Sequence, residues 1–222
     1  MGFSPEWDTI YQANQQMSIW PWSDLVSYVM RYSKPTNKNF KVLELGCGAG
    51  ANISFFQYFN VDYYATEGSG SVVKYLIDKY TFLSEKIKVA DFTKKIPFDE
   101  TFDLIFDRAS ITHNNTEAIK SCISLISKHL KPKGIFIGID WFSIAHSEFN
   151  NGLFARDRNT KDNFPSGQFY QVGQVHFSDK SHIRELFKEF EFIKLEHKIV
   201  SQEYPESNYQ FASWNFAVKK SI

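Results

Sequence analysis

The segment Val42-Leu43-Glu44-Leu45-Gly46-Cys47-Gly48-Ala49-Gly50 constrains this chain more than any other stretch. An apolar strand, Phe40 to Leu45, ends in three glycines, and Ala51 to Tyr58 opens the next helix. Glycine takes positive φ without strain and lets a backbone approach a ligand where a Cβ would intrude. The helix that follows turns the positive end of its dipole toward the same point. In an open parallel sheet, a nucleotide-like ligand belongs at the carboxyl end of such a first strand. Cys47 fills a position that needs a small side chain. With Cys122 it forms neither a disulfide framework nor a zinc spacing, and no metal constellation is expected.

Upstream, Asp24 to Tyr32 has apolar residues at helical spacing, with Ser23 or Asp24 as cap and Pro35 to Asn39 as a polar break. Downstream, strands are predicted at Val61 to Thr66, Ile87 to Ala90, Thr101 to Asp107 and Ile135 to Asp140, with helices at Ser71 to Tyr80 and Thr116 to Leu130. Lys131-Pro132-Lys133-Gly134 reads as a turn. This alternation implies an α/β fold with right-handed crossovers and a largely parallel sheet covered on both faces. Ser143 to Val175 is polar and irregular, and loops of that length usually carry function. A helix capped by Ser178 or Asp179 then runs through Phe190, and Phe192 to Val200 pairs antiparallel with Phe211 to Val218. No repeat or linker divides the chain, so one domain is expected. Within it, 1–34 forms an N-terminal helical lid, 40–142 the cofactor-binding core, 143–177 a substrate-side insertion and 178–222 the closing helix and strand pair.

Gly46, Gly48 and Ala51 also fit the dinucleotide fingerprint, which keeps an NAD(P)-dependent oxidoreductase as an alternative. Glu44 argues against it. A pyrophosphate disfavours a carboxylate two residues before the first glycine, whereas S-adenosylmethionine brings an ammonium and a sulfonium and no phosphate. Glu67, ending the second strand next to Gly68, can accept two hydrogen bonds from a ribose diol. Asp91 can accept from an adenine amino group while Phe92 packs on the base.

These motifs, with Phe102-Asp103-Leu104-Ile105-Phe106-Asp107 and Leu130-Lys131-Pro132-Lys133-Gly134, resemble the successive motifs of class I S-adenosylmethionine-dependent methyltransferases, in order and at similar spacing across 40–140. The resemblance implies a Rossmann-like three-layer sandwich with a seven-stranded, mostly parallel sheet ordered 3-2-1-4-5-7-6, its last strand antiparallel. It also implies a cofactor site of Glu44, Gly46, Cys47, Gly48 and Gly50 toward the methionine, Glu67 and Gly68 at the ribose, and Asp91 and Phe92 at the adenine. Asp107 falls where the family places a residue near the methyl group. Gly68-Ser69-Gly70 departs from the family's usual entry into the second helix.

For the acceptor, His113 and Asp107 offer base chemistry near neutral pH and favour a hydroxyl. Trp20 and Trp22 lie in an aromatic N-terminal cluster that can exclude water, while Arg156 and His176 belong to the insertion, where a guanidinium suits an anionic group. Trp20-Pro21-Trp22-Ser23-Asp24 looks like a stretch of bacterial methyltransferases acting on sugars or surface-glycan precursors. No Asn-Pro-Pro-Tyr-type motif points to nucleobase or protein-amide targets. A non-catalytic, cofactor-binding relative is the remaining alternative, and it predicts exposed Trp20 and Trp22.

The 25 basic and 25 acidic residues cancel, so net charge gives no reason to expect nucleic acid as a partner. The first eight residues lack the basic and apolar regions of a signal peptide, and no apolar run is long enough to span a membrane, so a cytoplasmic protein is expected. The oligomeric state is open, a homodimer included. The 22 Phe, 11 Tyr and 5 Trp must supply either a ring-rich core or a ring-walled pocket.

Overall fold

Every predicted strand forms, and the computed structural model, which describes residues 6–13 and 15–221, shows how they pair. β1 (Lys41–Leu45), β2 (Asp62–Glu67), β3 (Ile87–Val89), β4 (Phe102–Arg108) and β5 (Leu130–Phe142) lie parallel. β6 (Leu153–Phe154), β7 (Thr160–Asp162) and β8 (Val175–His176) make a separate small antiparallel sheet. β9 (Phe190–Ser201) and β10 (Gln210–Lys220) return to the main sheet, with β10 antiparallel to both β5 and β9. The resulting order is β3-β2-β1-β4-β5-β10-β9. Counting only the strands of the main sheet, this is the 3-2-1-4-5-7-6 arrangement that the resemblance implies.

Side chains alternate across a strand, so each strand feeds two cores. One face buries Val42, Leu104, Phe106 and Ile139 under α2 (Ser23–Tyr28), α3 (Ile53–Tyr58) and α4 (Gly70–Lys79), through Leu25, Phe56 and Leu76. The other buries Leu43, Leu45, Ile105 and Phe136 under α5 (Thr116–His129) and α6 (Lys180–Leu186), through Ile119, Ile126 and Ile183. α1 (Glu6–Gln12) buries no residue fully; residues 1–5 of the expected lid lie outside the described residues. No helix among the described residues is long and apolar enough to cross a membrane.

Four features differ from expectation. The helix expected to end at Tyr32 leaves α geometry after Tyr28 and finishes in a π turn, Val29–Ser33, closed by a left-handed Lys34 donating to the Val29 carbonyl at 2.9 Å. The Lys131–Gly134 turn is looped out of the ladder, because the register steps from Phe102↔Leu130 to Leu104↔Ile135. The insertion has a core of its own: Phe142, Phe164, Phe169, Val172, Val175 and Phe177 pack together. Their spacing follows neither helical nor strand periodicity, so the segment reads as irregular although it is tightly packed. α6 stops at Leu186, short of the predicted Phe190, and Asp179 caps it by accepting from the His182 N–H at 2.7 Å.

In β5, a Cβ added at Gly138 would stand 2.5 Å from Cζ of Phe216, a fully buried ring packed on Phe136, Trp141 and Phe187. Gly138→Val should therefore lower stability by about 1–3 kcal/mol, read as a lower urea midpoint with an unchanged denaturant slope.

Candidate active site

β1 ends against the glycine loop, and the three glycines take φ of +70° (Gly46), +49° (Gly48) and +80° (Gly50). The amides of Gly46 and Cys47 both donate to the Thr66 carbonyl, at 2.9 and 3.0 Å, folding the loop onto β2. A Cβ at Gly46 would lie 2.6 Å from Ser110 Oγ, and one at Gly48 would lie 3.0 Å from the Tyr11 hydroxyl. Gly50 differs: its added Cβ would meet Leu76 and Ile53, and Gly50 is absent from the cavity wall. This corrects the expectation that Gly50 faces a ligand; it lets the loop pack on α4. The buried Cys47 thiol is raised by desolvation and stays protonated.

Above the loop lies a cavity of about 210 Å³. Glu44, Gly46, Cys47, Gly48, Glu67, Gly68, Asp91 and Phe92 line one part of it, and Trp22 and His113 line another. Glu67 accepts the amides of Gly68 (2.8 Å) and Ser69 (3.0 Å) on Oε1 and of Gly48 (2.8 Å) on Oε2. A carboxylate offers about four lone-pair positions, so Oε2 keeps one. Burial raises the Glu67 pKa against the lowering effect of these amides. Asp91 accepts from Thr93 N (3.0 Å) and Thr93 Oγ1 (2.6 Å) and pairs with Lys94 at 2.9 Å; despite desolvation its pKa lies below the ordinary value because of these partners.

Glu44 is buried, accepting from Asn52 Nδ2 at 2.7 Å and from the Tyr63 hydroxyl. Desolvation pushes its pKa up to about 8. The N-terminal segment crosses the loop. Asp8 of α1 accepts from the hydroxyls of Ser69 and Ser71 (2.7 Å), and Trp7 packs edge-on to His113 with ring centres 4.9 Å apart.

His113 sits in a 3-10 turn after β4, with Phe142 and Phe169 also around it. Its Nδ1 is 3.3 Å from the Gln174 carbonyl, and desolvation pushes its pKa down to about 4, so the ring is neutral at pH 7. With Nδ1–H donating to that carbonyl, Nε2 carries the free lone pair.

Four other predicted site residues stand elsewhere. Asp107 is fully buried and off the cavity wall: it accepts from Ser110 N (2.9 Å), Ser110 Oγ, Ile111 N (2.9 Å) and Trp141 Nε1 (2.7 Å). It holds the turn from inside the core rather than standing on the cavity wall, where its expected catalytic and cofactor-binding roles would place it. Trp20 is 71% exposed, pointing away while Trp22, two residues on, points in. Arg156 is exposed and does not line the cavity; its neighbour Asp157 turns inward and accepts from Thr116 N at 3.0 Å. His176 is fully buried, its Nε2 3.0 Å from Nε2 of His182 and its Nδ1 3.3 Å from Thr160 Oγ1, so it braces the small sheet rather than a substrate. Sequence reasoning missed Arg108, Asn52, Phe142, Gln168 and Phe169 as lining residues. The only signal for the last two was their place in the unusually long insertion.

This sheet order, with a glycine loop after β1 and acids after β2 and β3 on one cavity, is the fold found in S-adenosylmethionine-dependent methyltransferases of known structure. Residues 42–134 match the family model described as a methyltransferase domain. A curated relative, phosphoethanolamine N-methyltransferase 3 of Arabidopsis thaliana, is 32% identical over 104 residues, which is 46% of this chain and 21% of that protein. The matched segment thus spans about a fifth of the relative's length. Among solved structures, a S-adenosylmethionine-dependent methyltransferase of Methanosarcina mazei superposes with a TM-score of 0.67 at 12% identity, covering 91% of this chain and 99% of that one. A putative sarcosine dimethylglycine methyltransferase of Galdieria sulphuraria gives 0.66 at 13% identity, covering 97% and 98%. At these identities the structural likeness concerns the fold.

The buried acid gives a test of the site's electrostatics. Glu44 ionises above about 4.5 when unfolded and above about 8 when folded. Between those values the folded chain holds the extra proton, so stability falls as pH rises through the window. The penalty is absent below the lower value and complete above the upper one. Glu44→Gln removes this titration, so its melting temperature relative to wild type should rise between pH 5 and pH 8; a difference that stays flat would contradict the buried, protonated carboxyl.

Proposed function

We propose that the protein transfers a methyl group from S-adenosylmethionine to a small hydroxylated acceptor, a sugar or surface-glycan precursor. The observation that carries this is a single cavity lined both by the glycine loop with its acids and by the aromatic insertion with His113. When bound, S-adenosylmethionine supplies an electrophilic methyl group on a sulfonium. Glu67, through the lone pair left on Oε2, and Gly68 would hold the ribose. Asp91 and Phe92 would hold the adenine, and Glu44 with the Gly46–Gly48 backbone would hold the methionine portion.

Trp7, Trp22, Phe142 and Phe169 give the acceptor a water-excluding wall on which the C–H faces of a sugar can pack. His113 would take the hydroxyl proton on Nε2. Its lowered pKa keeps it in the base form throughout the neutral range, and the Gln174 carbonyl fixes the tautomer.

The match to an N-methyltransferase supports a second reading, an amine acceptor. A free amine attacks without a base, so His113 separates the two. With a hydroxyl acceptor, His113→Gln should lower kcat by about 10²–10⁴-fold; with an amine, kcat should change little.

Calorimetry tests the cofactor directly. S-adenosylhomocysteine should bind and NADH should not, and Glu67→Ala should weaken S-adenosylhomocysteine by about tenfold or more, as expected for charge-assisted hydrogen bonds. Binding of NADH with indifference to S-adenosylhomocysteine would instead support the oxidoreductase alternative.

A further inference from the structure

The residues proposed to hold the cofactor are acids, glycines and a ring, yet its amino-acid end also carries a carboxylate. Of the described residues lining the cavity, only Arg108 is a permanent cation. It ends β4, one step beyond the Leu45↔Asp107 pair, which sets it level with Gly46 at the start of the glycine loop.

The guanidinium is held in a fixed plane. Its central carbon lies 3.7 Å from the centre of the Trp22 ring, and Nη2 pairs with Asp140 Oδ2 at 3.2 Å. Asp140 is shared, since it also accepts from Ser213 Oγ at 3.1 Å and pairs with Lys198 at 3.4 Å. Nε of Arg108 is buried and has no partner. A buried donor without an acceptor is unfavourable, and beside a cavity it suggests a ligand that completes it.

The backbone around this pair is strained as well. Ala109 and Asp140, neither of them glycine, take φ of +59° and +55°. They flank the same corner, with Ala109 N donating to the Ile139 carbonyl at 3.0 Å. Left-handed non-glycine residues concentrate where a ligand contact must be aimed.

We propose that Arg108, clamped between Trp22 and Asp140, anchors the amino-acid carboxylate of S-adenosylmethionine. A planar guanidinium matches a carboxylate in geometry as well as charge. Asp91, held ionised by its partners and lining the same cavity, would repel that group. The anchor is built from two distant parts of the chain, the tip of β4 and the N-terminal segment that carries Trp22, so the carboxylate would tie that segment to the sheet. The assignment rests on reading the cavity as the site of this cofactor.

The test compares two ligands by calorimetry: S-adenosylhomocysteine and its decarboxylated counterpart S-adenosyl-3-thiopropylamine, which keeps the ammonium. Wild type should prefer the first by about tenfold or more. Arg108→Met should erase that preference by weakening S-adenosylhomocysteine alone, leaving the decarboxylated ligand within about twofold. Arg108→Lys keeps the charge without the fork, and it should show a smaller loss confined to S-adenosylhomocysteine; it carries the test if the methionine variant fails to fold. Equal weakening of both ligands, or of neither, overturns the assignment while leaving the cofactor in place. Binding of neither ligand to wild type overturns the cofactor reading itself.

Discussion

Asp107 places a carboxylate where no water reaches it, and four donors converge on its two oxygens. Desolvation still wins by a margin, pushing its pKa up to about 6, although every hydrogen bond pulls the other way. Removing such an acid would orphan the Trp141 indole in the core and release the amides of Ser110 and Ile111. Those amides begin the turn that carries Arg108, Ser110, His113 and Asn114 to the cavity. Ser110 Oγ also lies 2.5 Å from the Leu45 carbonyl and shares its one proton between that oxygen and Asp107, so the same knot joins β4 to the last residue before the glycine loop. The cavity's shape depends on this internal polar junction more than on any residue that faces a ligand.

The fold was legible because it rests on local periodicity. The first four strands, each within one residue of its predicted ends, and a cap at Asp179 follow from patterns within a few positions, whereas β5 starts at Leu130, five residues before its predicted start, because it takes in the looped-out Lys131–Gly134. The loop, Glu67, Asp91 and Phe92 were legible for a related reason: they sit at strand ends, and strand ends in a parallel sheet share one rim. Contacts made across the chain were hidden. Asp107 and Trp141 stand 34 positions apart, and neither residue alone announces that it pairs with the other. Arg108 was hidden for the same reason, since its partners Trp22 and Asp140 lie far from it along the chain.

The misplacements in the insertion and the N-terminal segment share one cause. In irregular chain no fixed period relates one side chain's direction to the next, so nearby residues of the right type can have opposite fates. Trp22 lines the cavity while Trp20 is in solvent, and Asp157 faces inward while Arg156 is exposed. The high aromatic content also had two answers rather than one. Phe142 and Phe169 belong to the insertion's own core and to the cavity wall at once, so packing that stabilises the insertion also shapes what it encloses.

The way α1 is held has a kinetic consequence. This helix buries nothing fully; Asp8 accepts from two serine hydroxyls at the start of α4, while Trp7, Ile10 and Tyr11 pack on the edges of the cores below. Lifting it would break these contacts and still leave both faces of the sheet packed. Local opening of this kind takes less free energy than unfolding the whole domain, so it would offer a bound cofactor a route in and out. Residence time on the enzyme would then follow the strength of that small clasp, and with it the ceiling on turnover once chemistry is fast.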